Sequence, residues 1–163
     1  EPVTMAQHML QGASLAVHQG LSNAVIAAAL LHDIGHFTSE FGTFAMTDTH
    51  DRQHEVFGAK VLAPFFPAAV TQCVRHHVAA KRYLCATRGE YFSQLSAASV
   101  HSLQLQGGPM SATEVLEFEA NPHLQDIIQV RLLDDAGKVA DLQTYPFTHF
   151  VDLLQALVDQ HCT

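Results

Sequence analysis

Leu30-Leu31-His32-Asp33-Ile34-Gly35-His36 closes an apolar run that begins at Ala24. The run has the length and the alanine content of a buried helix, with Ser22 placed to cap it and an end expected near Asp33. A histidine and an aspartate therefore leave the end of a buried helix together, which is a rigid mounting for a metal. Gly35 sits where such a helix would stop, and His36 lies one turn beyond His32. An adjacent His-Asp pair is common, so the reading depends on whether similar donors recur elsewhere. They do, at His8, His54, His77 and Asp134.

Working outward, every segment that carries one of these residues reads as a helix. Thr4-x-x-Gln7 is a capping box that opens a helix ending near Gly20, with His8 on or beside its apolar face. A helix from about Asp51 carries His54. Pro67 suits the first turn of another, which runs to about Cys85 and carries His77 and Lys81. A short helix over Glu90 to Leu95 precedes Ser96, which can cap a helix reaching Leu105. Gly107-Gly108-Pro109 stops that helix, and Ser111-x-x-Glu114 is a second capping box. His123 to about Asp135 carries Arg131 and Asp134. Tyr145-Pro146 is a turn, and Phe150 to Gln160 is a last amphipathic helix. Between them, Phe37 to Thr49 breaks the pattern and reads as a structured loop. No convincing strand alternation is present, so the expected fold is all-α, a compact helical bundle.

Composition bounds the function. The chain has 163 residues, 48% of them hydrophobic and 15% charged, as expected for one globular domain over residues 1–163. A formal net charge of −8 argues against nucleic acid as an electrostatic partner. No stretch has the length of a membrane span, and no membrane partner is expected. Cys73, Cys85 and Cys162 have no zinc or redox spacing, and Cys73 and Cys85, in helical patterns, read as buried thiols of a cytoplasmic protein. The first residue is Glu1 and not Met, so a short preceding segment is expected.

If His8, His32, Asp33, His54, His77 and Asp134 converge, they are too many ligands for one open metal site. They suit two metals bridged by a carboxylate, with Asp33 the natural bridge because it adjoins a terminal ligand. Iron or manganese fits this nitrogen and oxygen set, with zinc an alternative. Lys81 follows His77 by four residues and Arg131 precedes Asp134 by three, so each cation shares a helix face with a ligand. With His36, they suit an anionic oxygen group such as phosphate, phosphonate or carboxylate. The plainer readings stand beside this one. A helical histidine is more often core or surface than ligand. Only one of His76 and His77 is expected to face the site, and His50 and His54 pose the same choice. His18, His101, His123, His149 and His161 are left out of it. Phe37, Phe41 and Phe44 are as well explained by packing as by a ligand cage.

The donor series His8, His32-Asp33, His54, His77, Asp134 resembles the HD-domain superfamily in its two-metal form. Three longer stretches narrow the resemblance: His77-Val78-Ala79-Ala80-Lys81-Arg82-Tyr83-Leu84, Leu105-Gln106-Gly107-Gly108-Pro109-Met110 and Arg131-Leu132-Leu133-Asp134-Asp135. They are similar to the phosphonate-degrading, PhnZ-like HD oxygenases over nearly the whole chain. The resemblance implies a mixed-valent Fe(II)/Fe(III) pair and O2-dependent cleavage of a carbon–phosphorus bond in a small phosphonate. The substrate would be a 1-hydroxy-2-aminoethylphosphonate or its trimethylammonio analogue, and the products glycine or glycine betaine plus phosphate.

By position, the resemblance implies one iron on His8, His32, Asp33 and Asp134, and the other on His54 and His77, with Asp33 bridging. It implies His36, Lys81, Ser99, Ser102 and Arg131 around the phosphonate, with His36 and Lys81 also acting in catalysis, and Glu1 at the substrate amine. Glu40, among the phenylalanines of the loop, is a second candidate for the amine, and that aromatic loop points to the trimethylated substrate. Two rivals remain: an HD phosphohydrolase acting on a small phosphate ester, and an idle ligand-binding module. The first would use the same metals to activate water; the second sits poorly with a filled set of ligand positions.

Overall fold

The computed structural model of the chain describes residues 3–38, 49–51 and 53–163. Among them the regular structure is entirely helical. Helix α1 spans Met5–His18, and its capping box is formed: Gln7 N donates to Thr4 Oγ1 (3.2 Å) and Thr4 N to Gln7 Oε1 (2.8 Å). Helix α2 spans Asn23–Leu31 and is capped by Ser22. Every residue from Val25 to Leu31 is buried. A helix that is apolar all round belongs in the middle of a bundle, and α2 packs on α1, on α5 (Ala68–Thr87), on α8 (Leu124–Ala136) and on α9 (Val151–His161). Small side chains permit the closeness. Ala13 and Ala16 of α1 and Ala27 to Ala29 of α2 are almost wholly buried in the same cluster.

Helix α5 is the long strut. Its buried positions Val70, Cys73, Val74, His77, Val78, Ala80, Lys81 and Leu84 repeat every three or four residues, so one apolar stripe also carries His77 and Lys81 inward. Helix α8 does the same with Ile127, Val130, Arg131, Leu133 and Asp134. Among the described residues Leu30, Leu84, Leu103, Ile127, Leu133 and Phe150 are the largest buried apolar side chains, each contributing about 1.5–3 kcal/mol by leaving water. Helix α3 is Gly35–Thr38 and α4 is His54–Leu62; α4 packs on both α3 and α5. Helices α6 (Ala97–Leu105) and α7 (Ala112–Glu119) follow the strut, capped as expected by Ser96 and Ser111.

The structure departs from expectation at several ends. Helix α2 stops at Leu31, short of Asp33: Ile34 N bonds Leu31 O and His36 N bonds Asp33 O, so the chain tightens into a turn before α3. Helix α4 begins at His54 and not near Asp51, because Gln53 is left-handed (φ 51°) and Asp51 Oδ1 takes the Gln53 N–H. Helix α5 continues to Thr87. The helix expected over Glu90 to Leu95 is a single 3-10 turn, Phe92–Gln94, and another, Phe147–Phe150, leads into α9. The expected loop after His36 opens as α3. Ser39, Glu40, Phe41, Gly42, Phe44 and, at the start of the chain, Glu1 lie outside the described residues. Phe37 is described and is 59% exposed.

Candidate metal centre and anion pocket

The turn after α2 carries His32 and Asp33, and each neighbouring helix supplies one more donor. His8 comes from α1, His54 from the first residue of α4, His77 from α5 and Asp134 from α8. Gly35 allows the approach of α4. A Cβ on Gly35 would lie 1.9 Å from His54 O and 2.9 Å from Gly58 N, so only glycine lets this turn rest against the α4 backbone. Gly35 has no positive φ, and its role is close approach and not helix termination.

The donors fall into two groups, His8, His32 and Asp134, and Asp33, His54 and His77, the ligand atoms of each lying within 4.8 Å of one another. In the first, His8 Nε2 is 3.1 Å from His32 Nε2 and 3.3 Å from Asp134 Oδ1. In the second, His54 Nε2 is 3.2 Å from His77 Nε2 and 3.1 Å from Asp33 Oδ1. Asp33 faces both groups. Its Oδ2 lies 3.5 Å from His32 Nε2 and 3.7 Å from His8 Nε2, while its Oδ1 looks at His54 and His77.

The chemistry of this set fits metal cations. The Nδ1 atoms of His8, His32 and His77 lie 2.8 Å from the carbonyl oxygens of Gly137, Ala29 and Val74. A carbonyl only accepts, so these Nδ1 atoms carry hydrogen, which leaves Nε2 of each ring as the atom that would bind a metal once deprotonated. His54 differs: its Nδ1 faces Glu55 Oε2 at 3.6 Å, a buried oxygen with no hydrogen-bond partner among the described residues. Burial opposes charge on His8, but the Asp134 and Asp33 carboxylates outweigh it and push its pKa up to about 9. His54 is raised in the same way, against burial, by Asp33 and Glu55. Burial lowers His32 and His77. Asp33 and Asp134 are held well below the usual carboxylate range: burial opposes this, but the histidines around Asp33, and Arg131 and Lys138 beside Asp134, prevail.

A cavity of about 170 Å³ opens beside the donors. That is below the roughly 300 Å³ at which drug-sized sites begin, so a small ligand is indicated. Part of its wall is cationic and hydroxylated. Lys81 is 2% exposed, and its Nζ donates to Ser102 Oγ at 2.6 Å. Lys138 Nζ lies 3.3 Å from both Ser99 Oγ and Asp134 Oδ1. Burial, then the charges of Arg131 and Lys138, bring the Lys81 pKa down to about 7 against the pull of Asp134 and Asp135. Among the described lining residues, Asp51 is the carboxylate outside the two donor groups.

All the expected metal donors therefore converge. His36, Lys81, Ser99, Ser102 and Arg131 line the same cavity. The ring of His36 stacks on that of His54 at 4.1 Å, and its Nε2 is 3.9 Å from Asp33 Oδ1. Arg131 differs from expectation in its contacts: Nη1 bonds Asp134 Oδ2 (2.8 Å), Nη2 bonds Asp135 Oδ1, and Nε bonds Tyr91 Oη (3.0 Å). All three of its nitrogens bond to protein, so it acts first as the anchor of Asp134. His77 faces the site while His76 lies against Phe118; His54 is in the centre while His50 is on the cavity wall. Sequence reasoning missed Lys138, Glu55, Asp51 and Tyr91. Lys138 had a signal, four residues after Asp134, but Gly137 obscured it. Glu55 had only its adjacency to His54, and Tyr91 had none.

Over 161 residues, 99% of this chain and 82% of the other, the chain is 63% identical to the 1-hydroxy-2-(trimethylamino)ethylphosphonate dioxygenase (glycine-betaine-forming) of Leisingera caerulea. It is 45% identical over 159 residues, 89% of this chain and 75% of the other, to the hydroxymethylphosphonate dioxygenase of Gimesia maris. An uncharacterized protein of Acanthamoeba polyphaga mimivirus is 33% identical over 156 residues, 94% of this chain and 71% of the other. The sequence pattern of the HD domain matches residues 5–136. That stretch runs from the first residue of α1 to the last of α8 and takes in every donor of both groups, so the chain belongs to the HD domain family.

Proposed function

We propose that this chain is an O2-dependent oxygenase that cleaves the carbon–phosphorus bond of 1-hydroxy-2-(trimethylammonio)ethylphosphonate, giving glycine betaine and phosphate. The observation that carries the reading is Asp33 facing two three-donor groups beside a small cationic cavity. The 63% identity to a dioxygenase of that substrate supports the choice of reaction over hydrolysis of a phosphate ester. The overall balance is simple: the C1–H and C–P bonds break, and one O2 supplies the added oxygens of the carboxylate and of phosphate.

His8, His32 and Asp134 would hold one iron and His54 and His77 the other, with Asp33 between them. Bound there, an iron pair supplies the one-electron chemistry that O2 activation requires. The protein's own part is orientation and charge. Lys81 and Lys138, each beside a serine hydroxyl, draw the phosphonate oxygens to that part of the wall. Arg131 adds its charge from behind while fixing Asp134. His36, which lines the cavity beside Asp33, would bond a substrate oxygen. Asp51 offers a carboxylate to the ammonium end; Glu1 and Glu40 remain candidates for the same role. The substrate is a small molecule, and no helix among the described residues is long and apolar enough to cross a membrane. The thiols of Cys73, Cys85 and Cys162, all unpaired, support a reducing, cytoplasmic setting.

The test is turnover with O2 uptake monitored. One O2 consumed per phosphate released is expected, with kcat/KM higher for the trimethylated substrate than for the primary amine. Phosphate release without O2 uptake would mean a hydrolase; a clear preference for the primary amine would defeat the choice of substrate.

Lys81→Ala should keep its iron but raise KM roughly ten- to hundredfold, since a charge-assisted contact contributes about 1.5–3 kcal/mol. Loss of iron in step with substrate binding would contradict the role. The low pKa of Lys81 adds a pH signature. Above about 7 the amine is neutral in the empty site, so binding an anion must take up a proton, and affinity weakens as pH rises. Lys81→Arg stays charged throughout. The ratio of wild-type to Lys81→Arg kcat/KM should fall between about pH 7 and 9, and a constant ratio would rule out Lys81 titration.

A further inference from the structure

Lys81 points inward from α5, but the next residue, Arg82, points across the surface to the segment after α6. Its Nε donates to Gly108 O (2.8 Å) and its Nη2 to Glu114 Oε1 (2.8 Å), while its own carbonyl accepts from Met110 N (3.2 Å). The other oxygen of Glu114 accepts from Ser111 N (2.8 Å) in the α7 capping box, so the carboxylate is held at both oxygens. Gly107 and Gly108, with φ of 93° and 74°, let the chain double back under the guanidinium. The segment from Gly108 to Glu114 is thus tied to α5 at several points.

The helix upstream of that tie buries few of its residues. Only Ser99 and Leu103 of α6 are buried, so it lacks the apolar stripe that seats α5 and α8. It nevertheless supplies Ala98, Ser99, Ser102 and Leu105, with Gln106 just after it, to the cavity wall. Its polar contacts to the bundle include those from Lys81 to Ser102 and from Lys138 to Ser99, the groups assigned to the phosphonate.

We propose that Arg82 is a positioning residue for the substrate: by holding the turn at Gly108 and the start of α7, it fixes the C-terminal end of α6 and so sets Ser99 and Ser102 opposite Lys138 and Lys81. The argument rests on the phosphonate reading for its ligand, but not for its geometry.

Iron-loaded Arg82→Ala, Glu114→Ala and Glu114→Gln are compared with wild type. Arg82→Ala should raise KM on the order of tenfold, as for a lost charge-assisted bond, with kcat and iron content close to wild type. Hydrogen exchange without substrate should show residues 97–105 opening on the order of tenfold faster while α5 and α8 are unchanged. Glu114→Ala should move both readouts the same way, and carries the test if Arg82→Ala does not fold. Glu114→Gln keeps an acceptor for Arg82 and a residue suited to the capping box, and should restore wild-type values. Unchanged KM with unchanged α6 exchange overturns the proposal. So does loss of protection across α5 and α8 together with α6, which would mark a general stabilising contact. A wild-type chain inactive on the phosphonate would overturn the substrate reading alone, because the exchange arm is read without it.

Discussion

Asp33→Ala is expected to leave fewer than one tightly bound iron per chain and no measurable turnover. Among the described residues, Asp33 is the one whose two carboxylate oxygens face different donors, Oδ1 towards His54 and His77 and Oδ2 towards His32 and His8. It also supplies negative charge to a buried centre lined by imidazoles, and is itself held ionised there. Losing a residue that merely orients a ligand typically costs about 10–100-fold in metal affinity. Loss of a shared ligand acts on both sites at once and exceeds that at each. Metal analysis after desalting, with O2 uptake on the same sample, checks this. Two retained irons with wild-type turnover would disprove the bridging assignment.

Gly35→Ala is expected to be the most damaging glycine-to-alanine change among the described residues. Its Cβ would fall 1.9 Å from His54 O and 2.9 Å from Gly58 N. Both contacts are backbone, so no side chain can swing aside and α4 must move. Overpacking of this kind costs about 1–3 kcal/mol and occasionally more, and backbone on both sides argues for the upper end. For a chain of this size that lowers Tm by roughly 6–12 °C. The functional effect should be asymmetric. His54 moves with α4, whereas His8, His32 and Asp134 sit on other elements, so iron should fall from two towards one per chain. Gly58→Ala provides the comparison. Its new Cβ would meet Gly35 N, Ile34 Cγ2 and Val74 Cγ1 at 3.2–3.3 Å, a milder crowding, and should cost less. Equal Tm loss in the two variants would contradict the close-approach account.

Much of the helical framework was legible from local chemistry. Thr4, Ser22, Ser96 and Ser111 cap the helices that their spacing predicts, because a cap bonds the backbone only a few residues ahead. The stripe through Val70, Val74, His77 and Lys81 shows in the sequence which residues turn inward together. Donor type, the adjacency of His32 and Asp33, and the cations spaced from His77 and Asp134 were likewise enough to expect a paired metal centre and an anionic ligand. Packing decided the rest. His8 bonds Gly137, 129 residues away, and no local rule places that carbonyl. Left-handed Gln53 delays α4 so that His54 is its first residue, and the glycine that seemed to end a helix instead admits the α4 backbone. Arg131 looked available for substrate, yet Tyr91, from the segment after α5, claims its Nε once α8 is docked, in addition to Asp135 one turn along the same helix. Lys138 reaches the pocket only because the chain turns at Gly137 against His8. Residue type and helical phase are local properties and can be read along the chain. Which oxygen faces which nitrogen depends on how helices far apart in sequence are seated, and only the tertiary structure determines that.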